Sequence, residues 1–220
     1  MSETFEIIES EFAQASFETF QMVLIAMVAA AVLGTILGLI LHLTSNPLFY
    51  KNRVVNGIAG TIINIIRSMP FIILIIVLIP VTRIVVGTSI GALAASVSLS
   101  IASIAFFARL VEGAFSEVDR GIIEAAVSTG ASTWLIIRKV LFVEATPGLI
   151  RALTVTFVSI IGYSAMAGAV GGGGIGNLAI MYGYNRYQTG VLFFTVVVLI
   201  VIVQLGQWIG DRIAMAFTRK

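Results

Sequence analysis

Long uncharged stretches set the layout of the chain. No Asp, Glu, Lys or Arg occurs from Thr19 to Tyr50, from Ile84 to Ala108, from Ala152 to Asn185 or from Tyr187 to Gly210. Each stretch meets or exceeds the roughly 18 to 20 apolar residues that cross a bilayer as a helix. The first predicts a helix over about 20–42 and the second one over about 84–108. Between them, Val54 to Thr82 is apolar except for Asn56, Asn64 and Arg67, and it contains Pro70. A helix over that whole run would be about 43 Å long against a hydrocarbon core of about 30 Å. It is therefore tilted, kinked at Pro70 or begins on the membrane surface, with the span itself placed at about 58–81. The third gap is again too long for one helix, and the glycine run Gly171 to Gly174 is its natural stop. That leaves spans at about 149–170 and 191–208, five in all, and predicts an all-α integral membrane protein.

Composition narrows the class further. In 220 residues, 59% are hydrophobic, 11% are charged and none is cysteine. A soluble domain, a disordered chain, a disulfide scaffold, a thiol enzyme and a Cys-ligated metal site are all excluded by these figures. A net charge of +2 is too small to suggest nucleic acid as a partner, while the long apolar spans make membrane lipid one.

The positions of the charges predict sidedness. With the N-terminus outside, Lys51, Arg53, Arg109, Arg120, Arg138, Lys139, Arg151, Arg212, Arg219 and Lys220 all lie inside, against Arg83 and Arg186 outside. Segment 1–18 carries five glutamates and no Lys or Arg, unlike the basic start of a cleaved signal peptide. Phe5, Ile8, Phe12 and Ala15 fall there at helical spacing, which predicts an amphipathic helix on the outer surface. Residues 214–220 form a short cytoplasmic tail.

The stretch Arg109 to Arg151 holds ten of the 24 charges, and its segment 109–148 is the longest loop on the inner side. Gly121 and Gly130 bracket a short run of helix formers, and Gly130-Ala131-Ser132 offers a helix stop followed by a fresh N-cap. On these residues alone an ordinary solvated loop with surface helices is the simpler reading. The pattern Glu124-Ala125-Ala126, three residues, Gly130, nine residues, Val140 resembles the EAA loop of permease subunits of type I ATP-binding cassette importers. The family usually closes this motif with Ile-x-Leu-Pro, where this chain has Val140-Leu141-Phe142-Val143; Pro147 lies four residues beyond. The runs Asn64 to Leu74, Ile79-Pro80, Thr82-Arg83, Val86 to Gly91, Gly162 to Gly171 and Gly210 to Ile213 are similar to the permease of methionine importers. The resemblance covers nearly the whole chain. It implies a type I importer permease domain over 19–213, with Glu124, Ala125, Ala126, Gly130 and Ala131 in a coupling helix that sits in a groove of a cytoplasmic ATPase. It also implies a homodimer of permeases, two ATPase subunits that carry the ATP and magnesium, and an extracytoplasmic methionine-binding protein. The implied location is the bacterial cytoplasmic (inner) membrane.

Candidate chemistry is sparse. Gly171 to Gly176 matches G-x-G-x-x-G in form, yet no strand precedes it and no acid follows before Asp211, so it fails as a dinucleotide site. No glycine is followed by lysine, so a P-loop is absent and the energy must come from another subunit. No span holds the carboxylate that an ion-coupled carrier would keep in the membrane. His42, the sole histidine, sits at the inner end of the first span and reads as an interface residue. Arg67 is the one charge well inside a span, Arg151 lying at the inner end of its own, and it either snorkels to the interface or lines a pathway. Unwinding at Ser68-Met69-Pro70 would expose backbone carbonyls beside it. Tyr163, Ser164 and Met166 lie among small residues, which fits close helix packing and equally the lining for an amphiphilic amino acid. The pairs Gly34 and Gly38, Gly87 and Gly91, and Gly206 and Gly210 read as packing features. The aromatic cluster Tyr182 to Tyr187 reads as interfacial, or as a docking face for the binding protein.

The leading expectation is thus a permease for methionine, of both D and L forms, with Arg67, Ser68, Met69, Tyr163, Ser164 and Met166 along its pathway and no cofactor of its own. A same-fold permease for another amino acid or small solute is the nearest alternative. A secondary carrier or a structural membrane subunit working without ATP is the reading from a different class.

Overall fold

The computed structural model describes residues 2–218, which form helices joined by short turns, with no strand among the described residues. Helix α1 (Ser2–Ala29) passes through a π turn, Ala30–Gly34, into α2 (Thr35–Ser45). The result is one apolar rod of 42 residues from Thr4 to Ser45. The amphipathic segment expected at 1–18 runs directly into this rod as the start of α1 and is not a separate surface helix. No glycine or proline interrupts Phe5 to Ala29, so the helix propagates. Its apolar side, Ile7, Ile8, Phe12 and Ala15, packs on Ile175, Leu178 and Val191 of the same chain. Met1 lies outside the described residues.

The second span is broken. Helix α3 (Arg53–Ser68) is capped by Asn52, whose side chain accepts from the amides of Val54 and Val55 at 3.1 Å each. It stops before Pro70, which bars the α conformation at Met69, and α4 (Phe71–Val77) leaves at 109°. Helix α5 (Ile79–Val86) follows and ends at Gly87, with φ +80°. The third span begins at Ala92 in α6 (Ala92–Ser116) and not at Ile84, because residues 84–86 complete α5. Among the described residues, four helices, or five elements counting the bent α3–α4 pair, are long and apolar enough to cross a membrane.

Helix α6 is the central member, buried along most of its length and touching α1, α2, α3, α4, α5 and α9 (Phe142–Gly168). Its small residues, among them Ala92, Ala95, Ala102, Ala105 and Ala108, let neighbouring backbones approach. A methyl group built on Gly38 would stand 2.6 Å from the carbonyl oxygen of Ala108 and 2.7 Å from Val111. Past α6, α7 (Arg120–Ser128) and α8 (Thr133–Ile136) form the long loop, and a π turn, Ile137–Leu141, joins α8 to α9. The expected fourth span, 149–170, is therefore the later part of a 36-residue rod from Thr133 to Gly168. The chain closes with α10 (Gly174–Leu178), a π turn over Ala179–Tyr184 and α11 (Thr189–Thr218). Helix α11 continues ten residues past the expected end at 208, with Ala214 buried, so the tail placed at 214–220 does not begin at a break. Arg219 and Lys220 of that tail lie outside the described residues. His42, expected at the interface, is only 3% exposed: its ring lies beside Phe49 and Phe115, and its Nδ1 is 3.3 Å from Ser116 Oγ.

At the end of the bundle opposite the long loop, the glycine run is held by α1 and by the turn before α6. Gly171, Gly173 and Gly174 take φ values of +80°, +77° and +81°, which L side chains rarely adopt. The Gly174 amide donates to Glu18 at 2.7 Å and the Ile175 amide to Thr19 Oγ1 at 2.8 Å, so α1 satisfies the free amides at the start of α10. The Gly91 amide donates to the Gly171 carbonyl at 2.9 Å.

Replacing Gly38 with Leu should force α2 off α6 and cost about 1 to 3 kcal/mol. Gly57→Ala, at a position with nothing within 4 Å, should be neutral or slightly stabilising. Thermal unfolding of the detergent-solubilised protein measures both, and equal melting temperatures for the two variants would contradict this packing.

Candidate functional site: the α7–α8 loop and the cavity behind the broken span

The loop is built on local rules. Asp119 caps α7, accepting from the amides of Gly121 at 2.7 Å and Ile122 at 3.3 Å. The helix ends in a Schellman arrangement, with the Ala131 amide donating to the Ala126 carbonyl at 3.2 Å and the Gly130 amide to the Val127 carbonyl at 3.0 Å. That closure puts Gly130 at φ +79°. Ser132 then caps α8 through the Leu135 amide at 3.4 Å.

Ile123 is the buried residue of α7, and it joins Phe115, Val111, Ile136, Leu141 and Ala145 in one apolar cluster, with Ala126 and Ala131 partly buried against it. Glu124 and Ala125 are exposed. The pair Arg120 Nε to Glu124 Oε1, 2.7 Å apart on the surface, adds only a few tenths of a kcal/mol, about 0.3 to 0.5. The exposed side of the loop is unusually apolar: Trp134 is 68% exposed, with Ile122, Val127 and Leu135 also uncovered. Sequence reasoning named Glu124, Ala125, Ala126, Gly130 and Ala131 and missed Trp134 and Leu135. The available signal was a tryptophan shortly after the Ser132 N-cap in an otherwise charged loop.

The predicted pathway residues separate into two groups. Arg67 and Met69 meet Tyr163 around a cavity of about 160 Å³, closed further by Ile66, Phe71, Leu74, Ala102 and Phe106. The Tyr163 ring stacks on Phe71 with centroids 4.7 Å apart, and Phe71 reaches it because α4 turns away directly after Pro70. Ser68, Ser164 and Met166 are not part of this lining. Ser68 is exposed and donates to the Asn64 carbonyl at 2.7 Å. Ser164 is 2% exposed and donates to the Ile161 carbonyl at 2.8 Å, so its hydroxyl is consumed within α9. Met166 is 50% exposed on a strip of α9 with Val155 and Gly162, which helical spacing brings to one side.

A polar face on α3 is legible from the sequence in part only. Thr61, Asn64 and Ser68 are exposed and lie at the three- and four-residue spacing that aligns them. Asn56 serves packing instead, donating to the Leu41 carbonyl at 2.9 Å and to Thr44 Oγ1 at 3.1 Å. Among the described residues no group of three or more His, Cys, Asp or Glu side chains is placed to hold a metal ion.

Residues 30–220 match the family described as binding-protein-dependent transport system inner membrane component. The chain belongs to this permease family. It is 48% identical over 199 residues to the "Probable D-methionine transport system permease protein MetI" of Vibrio cholerae serotype O1, covering 90% of this chain and 88% of that protein. It is also 48% identical over 181 residues to the methionine import system permease protein MetP of Bacillus subtilis, covering 82% of each. A chain in an inward-facing structure of the MetNI methionine ABC transporter superposes with a TM-score of 0.89 at 42% identity, covering 94% of this chain and 95% of that one. The fold is therefore that of a type I ABC importer permease, a multi-pass inner-membrane transport component.

Ile123→Ala should loosen the loop without unfolding the bundle, at a local cost of about 2 to 4 kcal/mol. Hydrogen exchange by mass spectrometry should show α7 amides exchanging faster while α6 and α9 stay protected. Unchanged α7 protection would mean that Ile123 is not its anchor.

Proposed function

We propose that two copies of this chain form the translocation pathway of an ATP-driven importer of methionine, in both D and L forms. Two cytoplasmic ATPase subunits bind the ATP and magnesium and carry the hydrolysis, so the chain itself performs no chemical step. An extracytoplasmic methionine-binding protein delivers the substrate. The N-terminus lies outside and the C-terminus inside, in line with the bias of Lys and Arg toward the α7–α8 side.

The observation that carries this reading is the uncovered apolar surface of the loop, Ile122, Val127, Trp134 and Leu135, around Glu124 and Ala125. Such a surface on a segment between spans marks a protein contact. The names of the relatives supply the substrate. The exposed polar face of α3 supports the second copy, since Thr61, Asn64 and Ser68 would be costly against lipid and are tolerated beside water or protein. Arg67, Met69 and Tyr163 are the pathway residues that the cavity favours, with a cation for a carboxylate and soft apolar surface for a thioether.

Membrane vesicles carrying the assembled complex should take up labelled methionine only with ATP inside, and excess unlabelled D- or L-methionine should compete. Uptake that ignored excess methionine would make the substrate another solute; uptake that survived loss of the ATPase but stopped with the proton gradient would make the protein a secondary carrier.

The loop has its own tests. Trp134→Ala should weaken co-purification of the ATPase by about 2 kcal/mol or more, the scale of a buried aromatic anchor. The variant Ala131→Cys, in a chain with no other cysteine, should crosslink to the ATPase in a nucleotide-dependent manner. Full retention of the ATPase by the Trp134 variant, or an Ala131→Cys thiol inert toward the partner, would remove the loop from the interface.

A further inference from the structure

Arg109 lies on α6 between the loop and the broken span, and its contacts point both ways. Its Nη1 pairs with Glu112 Oε2 at 2.6 Å, one turn along the same helix. Its Nη2 donates at 3.0 Å to the backbone carbonyl of Gly60 in α3. Its Nε is buried and has no partner, although the side chain as a whole is 23% exposed. The contact depends on the glycine, because a methyl group at Gly60 would lie 3.0 Å from Nη2.

A carbonyl inside a helix already accepts the amide four residues on. Arg109 therefore adds a second, charge-assisted donor to an acceptor that is in use, and no α3 side chain holds the guanidinium in place. Its Nε is left without a partner, so the guanidinium is held by the Glu112 pair and the Gly60 carbonyl alone.

The two ends of this contact serve different parts of the molecule. Val111 and Phe115, two and six residues after Arg109, sit in the cluster that anchors α7 and α8 through Ile123 and Ile136. Helix α3 continues from Gly60 to Arg67, which lines the cavity with Tyr163. Besides this contact, α3 is tied to the bundle by Asn56, by the apolar group of Ile63, Leu41, Ala105 and Ala108, and by Ile66, which packs on that group and on the core around Leu74 and Ala102.

We propose that Arg109 is the positioning residue that carries displacement of the α7–α8 loop into α3, and through α3 to the cavity at Arg67. This rests on the importer reading given above. It places the step between ATPase and pathway at one side-chain to backbone contact and makes Gly60 part of the device.

The test uses the complex with its ATPase in proteoliposomes, with methionine uptake and ATP hydrolysis measured on the same preparation. Arg109→Gln should lower methionine imported per ATP by roughly tenfold, a size usual for coupling between sites, while hydrolysis stays within about twofold. Arg109→Lys, keeping a charged donor, should recover part of the ratio. Gly60→Ala should reproduce the loss from the α3 side, and it keeps the proposal testable if Arg109→Gln does not assemble. An unchanged ratio in either Arg109→Gln or Gly60→Ala would overturn the proposal. So would uptake and hydrolysis falling in parallel, because that is the signature of lost structure and not of lost coupling. Absence of ATP-driven methionine uptake in the wild-type complex would instead overturn the importer reading, and the role of Arg109 with it.

Discussion

Everything in this fold depends on how closely α6 can be approached. In a bilayer, apolar burial drives helices together weakly, because lipid is as apolar as leucine, and association relies on packing at short range. Gly34 and Gly38 on the first rod meet Phe107, Ala108 and Val111 of α6 with no room for a methyl group. Gly60 meets Arg109 on another side, and α9 packs along a third. With α6 fixed, its end at Phe115 becomes the platform on which the α7–α8 loop is anchored by Ile123 and Ile136.

The broken span then follows from a single proline. Pro70 ends α3 and turns α4 through 109°, which brings Phe71 under Tyr163 and leaves Arg67 at the edge of the resulting cavity. The arginine that is costly within a span therefore borders a cavity lined otherwise by apolar side chains and Tyr163.

The opposite end of the bundle is made from backbone. Three glycines at positive φ, with Glu18 and Thr19 of the first rod satisfying the amides of Gly174 and Ile175, join the end of α9, the start of α6 and α1. Along the chain, Glu18 is one of five acids in a segment suited to solution. In space it caps a helix 156 residues away, and no periodicity in the chain announces that pairing.

What the chain determined by itself was local or summed over a span. The long uncharged stretches predicted membrane helices, Pro70 offered a kink as one of three outcomes, and Gly130 and Ser132 marked the stop and restart seen in the loop, because these effects act within one turn of helix. The motif around Glu124 marks the loop through its resemblance to the family's EAA pattern. Only the tertiary structure decided that the N-terminal segment joins the bundle, that His42 is buried, that Ser164 spends its hydroxyl on α9, and that Arg67, Met69 and Tyr163 share a cavity. These outcomes depend on which face of each helix meets another. In a chain this apolar many faces are equally suited to burial, so the choice among them falls to close contacts between residues far apart in sequence.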